Sequence, residues 1–151
     1  MSKQPVTIPD SFTLRGALFG EGDPCDYFIR NGRVAEIRRK PTGAPDYGGE
    51  DTYITPPLCD IQINGGFGID LLDPQLSPEK YAELALRLAR HGIAFWMPTL
   101  VTAAEDILLR NLAVMAGPGA AIIEAVGGAV PIGFHLEGPF ISPKDGARGA
   151  H

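Results

Sequence analysis

Ser77 to Leu100 reads SPEKYAELALRLARHGIAFWMPTL. Its first half carries the marks of a helix. Ser77 is a good N-cap, and Pro78 suits the first helical position, where a missing N–H costs nothing. Tyr81, Leu84 and Leu88 recur at helical spacing with Ala85 and Ala89 beside them. His91 is read as a C-terminal cap and Gly92 as the stop. The second half, Ile93 to Leu100, is an apolar run containing Phe95 and Trp96, the pattern of a strand covered on both faces. A helix feeding such a strand is the repeating unit of a parallel α/β sheet.

The same grammar continues in both directions. Upstream, Ile61 to Asn64 reads as a short strand ended by Gly65-Gly66. Downstream, Thr102 with Glu105 three residues later reads as a capping box. Ile107, Leu108, Leu112 and Met115 supply another apolar face, which Gly117-Pro118 is expected to stop. A shorter helix over 120–126 then leads into a strand from Val130 to Glu137. Strand, helix, strand, helix, strand specifies an α/β fold, with closed barrel and open sheet both open at this point. The first fifty residues differ. Phe12 to Leu18, Tyr27 to Ile29 and Val34 to Ile37 read as short strands, the last two joined by Asn31-Gly32, a strong hairpin signal. Lys40 to Glu50, with Pro41, Gly43, Pro45, Gly48 and Gly49, reads as a loop.

With 151 residues, 44% of them hydrophobic and 21% charged, the chain has the balance of a globular protein with a real core. A formal net charge of -5 argues against a nucleic-acid partner, and Arg38-Arg39-Lys40 is too short to change that. Met1 to Phe12 has no apolar core of the kind a signal peptide needs, so none is expected. Ala120 to Phe134 is the most apolar stretch. Glu124, Gly127, Gly128 and Pro131 interrupt it, so no membrane span or membrane partner is expected. Cys25 and Cys59 form no metal-finger spacing and suit a reducing cytoplasm, with a disulfide between them left open.

Three polar segments sit at the C-terminal ends of the strands, where α/β folds place their sites. In Asp60-Ile61-Gln62-Ile63-Asn64-Gly65-Gly66, strand alternation puts Gln62 and Asn64 on one face. Taken alone, this favours a polar strand end bonded to its own turn. In Gly133-Phe134-His135-Leu136-Glu137-Gly138-Pro139-Phe140, His135 and Glu137 share a face. A carboxylate beside an imidazole at a strand end suits a metal ligand, and it equally suits a solvated Glu beside a hydrogen-bonded His. Between them, Trp96-Met97-Pro98-Thr99-Leu100-Val101-Thr102 makes no catalytic claim by itself.

In order, DIQINGGFG from Asp60, MPTLVT from Met97, HLEGPF from His135 and RGAH from Arg148 resemble the successive motifs of the N-acetylglucosamine-6-phosphate deacetylase family of metal-dependent amidohydrolases. The resemblance implies a (β/α)8 TIM barrel preceded by a small β-sandwich segment. Residues 1–56 would be the β-rich N-terminal segment of the sandwich domain, and 57–151 the first strands and helices of an incomplete barrel. It also implies hydrolysis of the acetamide of N-acetylglucosamine 6-phosphate, with one divalent ion, zinc by expectation, as cofactor.

Residue by residue, Glu137 matches the family's glutamate metal ligand, with His135 supporting it. Ala150 matches a position whose backbone meets the sugar, and His151 neighbours that contact. Gln62 and Asn64 match the variant in which the usual His-x-His pair is replaced, leaving one metal and turning these amides toward substrate or solvent. The family's catalytic aspartate, metal-binding histidines and phosphate-binding residues lie downstream of His151, so no catalytic residue is expected in this chain. A homo-oligomeric full-length enzyme, and inactivity of this piece alone, follow as expectations. The alternatives are a non-catalytic remnant, one half of a split protein, or another metal-dependent amidohydrolase.

Overall fold

Asn31 and Gly32 both take positive φ, 51° and 70°, the turn that matches the twist of a two-residue hairpin. They join β2 (Glu21–Arg30) to β3 (Arg33–Arg38), and β1 (Ser11–Leu18) pairs antiparallel with β2 on its other side. β4 (Tyr47–Ile54) adds parallel to β1, giving one mixed sheet of order β3-β2-β1-β4. The structure, a computed structural model, describes residues 9–138, 141, 142 and 144. The chain divides into two units, Met1–Pro56 and Pro57–His151.

β4 corrects the reading of Lys40 to Glu50 as a loop. The strand begins at Tyr47, and Gly48, at φ 78°, lies so close to β1 that an added Cβ would collide with the Arg15 carbonyl oxygen. The glycine therefore marks a close strand approach rather than a turn. The register with β1 jumps from Arg15↔Gly48 to Ala17↔Tyr53, an irregularity that hides the strand from period-2 patterning.

A buried ion pair holds this sheet. Arg15 Nε donates to Asp26 Oδ1 at 2.7 Å and Nη2 to Oδ2 at 3.1 Å, a bidentate clasp between facing residues of β1 and β2. Arg15 also donates to Glu50 and to the Gly43 carbonyl, and the Thr42 amide donates to Asp26. The Arg15 guanidinium holds the Asp26 carboxyl below its ordinary value near 3.8, the Thr42 amide acting likewise and burial opposing. A carboxylate with a lowered folded pKa contributes stability above its unfolded pKa and loses it as pH falls through the folded one. Thermal melts should therefore show the melting temperature falling as pH drops from about 5 towards 3. Asp26→Asn should lower it at neutral pH and flatten that dependence.

In the second unit, β5 (Leu58–Ile63) precedes a small hairpin of β6 (Gly65–Gly66) and β7 (Ile69–Asp70). Helix α1 (Pro78–Arg90) and strand β8 (Ile93–Leu100) follow with the expected bounds. Ser77 caps α1 through its side chain on the Lys80 amide, His91 is the C-cap with Nδ1 2.8 Å from the Arg87 carbonyl, and Gly92 takes φ 84°. β8 pairs parallel with β5 on one side and with β9 (Val130–Pro131) and β10 (His135–Leu136) on the other. The single strand expected from Val130 to Glu137 is thus two short pieces.

Two helix readings also change. α2 (Glu105–Val114) takes Ala104 as N-cap with no side-chain capping bond, so Thr102 and Glu105 form no capping box. Gly117-Pro118 does not stop the helix. Met115–Gly119 forms a π-helical turn running directly into α3 (Ala120–Val126). A wider turn makes room for a proline ring that would press on the preceding turn of an α-helix. Gly119 serves the packing, because an added Cβ would sit 2.6 Å from Tyr81 Cδ1.

Glu105–Val126 is long and apolar enough to cross a membrane by length and composition alone, with hydropathy 1.4. Here Leu108, Met115 and Ile123 are buried in the core with Tyr81, Leu84 and Trp96 of α1 and β8, the behaviour of a helix that covers a sheet. Trp96 is fully buried, packs on Tyr81 at 5.5 Å between ring centroids, and donates Nε1 to the Ala129 carbonyl at 3.1 Å. Trp96→Ala should destabilise the chain by about 3–5 kcal/mol, measured as a shift in the urea unfolding midpoint.

Candidate functional site

Glu137 immediately follows β10, and its backbone is held at two points by the end of β8. Its N–H donates to the Leu100 carbonyl at 2.8 Å, and Thr102 Oγ1 donates to its carbonyl at 3.5 Å. Thr102 is thus a fastening for the glutamate, a role that local patterning had assigned to helix capping. Gly138, at φ 102°, packs so tightly on Thr102 that an added Cβ would strike the hydroxyl. The demand here is steric: only glycine turns the chain away this close to β8.

From the other side of β8, β5 supplies the partner. Gln62 Nε2 donates to Glu137 Oε2 at 2.9 Å, joining residues 75 apart in sequence. β5 reaches it through a bulge: Asp60 faces Trp96 and Ile63 faces Pro98, so the β5 segment carries one residue more than its partner. Asp60 Oδ1 accepts from the Gln62 amide at 3.0 Å within that bulge. Bulges beside sites re-aim side chains. The strand also ends at Ile63, so Asn64 lies beyond it and the simple alternation that paired Gln62 with Asn64 does not extend that far.

Of the residues singled out from sequence, the structure brings Gln62 and Glu137 into direct contact. His135 is half-buried in β10, in register with Thr99, whose hydroxyl donates to the Met97 carbonyl. Asn64 is exposed, and its carbonyl accepts from the Leu71 amide at 3.3 Å. Ala150 and His151 lie outside the described residues, as do Pro139 and Phe140. Among the described residues no three His, Cys, Asp or Glu side chains gather into a cation cage. The described residues alone thus do not assemble the roughly three protein ligands that a zinc-type centre takes with a water.

No protein-family model matches the chain. Curated relatives do. N-acetylglucosamine-6-phosphate deacetylase of Bos taurus is 36% identical over 90% of this chain and 32% of its own length. N-acetylgalactosamine-6-phosphate deacetylase of Escherichia coli O157:H7 is 31% identical over 91% of this chain and 34% of its own. A crystal structure of N-acetyl-D-glucosamine-6-phosphate deacetylase from Mycobacterium smegmatis superposes with a TM-score of 0.63 at 25% identity, covering 91% of this chain and 38% of that one.

The chain is homologous to part of the N-acetylglucosamine-6-phosphate deacetylases. It spans about a third of the length of the curated relatives it matches. A second M. smegmatis deacetylase structure, a mutant in complex with N-acetyl-D-glucosamine-6-phosphate, shares the fold at a TM-score of 0.60 and 22% identity.

Proposed function

We propose that this chain is the opening part of a (β/α)8 barrel, preceded by a β-sandwich segment, in a metal-dependent deacetylase. Its substrate would be N-acetylglucosamine 6-phosphate, cleaved to glucosamine 6-phosphate and acetate. The observation that carries this reading is the Gln62–Glu137 contact across β8, in a chain homologous to deacetylases of that name.

In this reading Glu137 is one ligand of a single divalent ion, zinc by preference, with His135 supporting it from β10 just before it. The remaining ligands come from other residues. A bound ion of this kind polarises the acetamide carbonyl and lowers the pKa of water. Asn64, exposed beyond the strand end, would offer its amide to the substrate. Ala150, through its backbone, and His151 contact the sugar. The full-length protein would be a homo-oligomeric cytoplasmic enzyme acting on a small molecule. The E. coli O157:H7 relative favours a second reading, in which the galacto epimer is the substrate.

The test is acetate release by the full-length protein with zinc chloride, from each of the two N-acetylhexosamine 6-phosphates. The reading expects the higher kcat/KM on the gluco epimer. Preference for the galacto epimer selects the second reading, and acetate from neither removes both.

A further inference from the structure

We infer that Gln62 is a positioning residue that fixes the carboxylate of Glu137 for cation binding, rather than a ligand or a substrate contact in its own right. The inference rests on the reading of Glu137 as a metal ligand and extends it to a residue on a different strand.

The geometry is specific. An ionised carboxylate only accepts hydrogen bonds, so the end of the Gln62 amide facing Glu137 Oε2 at 2.9 Å is the NH2 group. The bond is charge-assisted, because a neutral donor meets an ionic acceptor. The backbone of Glu137 is already fastened to β8 by the Leu100 carbonyl and the Thr102 hydroxyl. What those two bonds leave undetermined is the torsion of the glutamate side chain, and the Gln62 amide acts on that. Gln62 is itself aimed by the β5 bulge and by the Asp60 carboxylate on its own amide N–H. A carboxylate that ligates a metal is ordinarily held by an outer hydrogen bond of this kind, and the ion's affinity depends on it. Direct ligation through the Gln62 carbonyl oxygen is disfavoured, since a neutral amide is a weak ligand for zinc-type ions beside imidazole or carboxylate.

The experiment uses the full-length apo protein and zinc chloride as the probe, with Gln62→Met, which keeps length and shape but removes the donor, and Glu137→Gln as reference. Isothermal titration should give about 10–100-fold weaker zinc binding for Gln62→Met at unchanged stoichiometry, with the apo melting temperature unaltered. The visible absorption of the cobalt-substituted protein should also change in Gln62→Met, reporting an altered ligand arrangement that a loss of fold stability alone would not produce. Zinc affinity within about twofold of the parent for Gln62→Met, where Glu137→Gln has lost the ion, would overturn the inference and leave Glu137 as a ligand. Retention of the ion by Glu137→Gln would instead remove the ligand assignment, and this inference with it.

Discussion

On the proposed reading, Glu137→Gln in the full-length protein should lose its bound divalent ion and fall by about 10³-fold or more in kcat/KM for N-acetylglucosamine 6-phosphate. That loss corresponds to roughly 4 kcal/mol of transition-state stabilisation, the scale expected when a Lewis acid is removed from a hydrolytic site. The substitution is nearly isosteric, and its backbone anchors to Leu100 and Thr102 are main-chain or reach main-chain atoms. The fold should therefore survive, and the effect should be chemical. What changes at position 137 is the charge. The Gln62 NH2 group would then face a neutral amide, a weaker acceptor than the carboxylate it now meets. Elemental analysis of the purified variant reads the ion, and acetate release reads the rate. A variant with its full complement of metal and unchanged kcat/KM would remove Glu137 from the site.

Residues Met1 to His151 expressed alone should release no acetate above a metal-only blank. Among the described residues no three His, Cys, Asp or Glu side chains gather, and a catalytic zinc-type ion takes about three protein ligands. The second unit gives an independent reason. β5 stands at the edge of the order β10-β8-β5, and its Leu58 and Ile61 are 59% and 65% exposed. Phe95 on β8 and Ile132 between β9 and β10 are also exposed. An unpaired edge beside apolar side chains invites pairing with another chain. Light scattering should accordingly show self-association of the isolated polypeptide, growing with concentration. Turnover well above the blank, from a preparation free of longer protein, would contradict the argument from ligand number. A monodisperse monomer would contradict the argument from the edge.

The parts of this protein that were legible in sequence are those decided within a few residues. Ser77, Pro78, His91 and Gly92 delimit α1 because caps and stops act on backbone groups one to four positions away. Tyr81, Leu84 and Leu88 fall on one helical face, and Ile93 to Leu100 forms β8 with the bounds its apolar run suggests. Asn31-Gly32 closes its hairpin for the same local reason. The motifs also point to Gln62 and Glu137, two candidates that the structure joins by a hydrogen bond.

Tertiary structure decided what depends on distant neighbours. Gly48 resembles a turn residue until the approach of Arg15 shows why a strand needs a glycine there. Pro118 ends a helix by its own chemistry, yet a π turn absorbs it where burial of Met115 and Ile123 holds the two helical segments against the core. Thr102 looks like a helix cap because Glu105 stands three residues on, but its hydroxyl is taken by the Glu137 carbonyl, 35 residues away. The Gln62–Glu137 bond spans 75 residues and depends on a bulge in β5 that alternation does not encode. Sequence by itself delimited α1, β8 and the Asn31-Gly32 hairpin and singled out Gln62 and Glu137 as candidates, because periodicity, capping and motif spacing are short-range. Only the pairing of β5 and β10 about β8 decided which of those residues meet, because hydrogen bonds across a parallel sheet join positions that the chain separates by a whole helix.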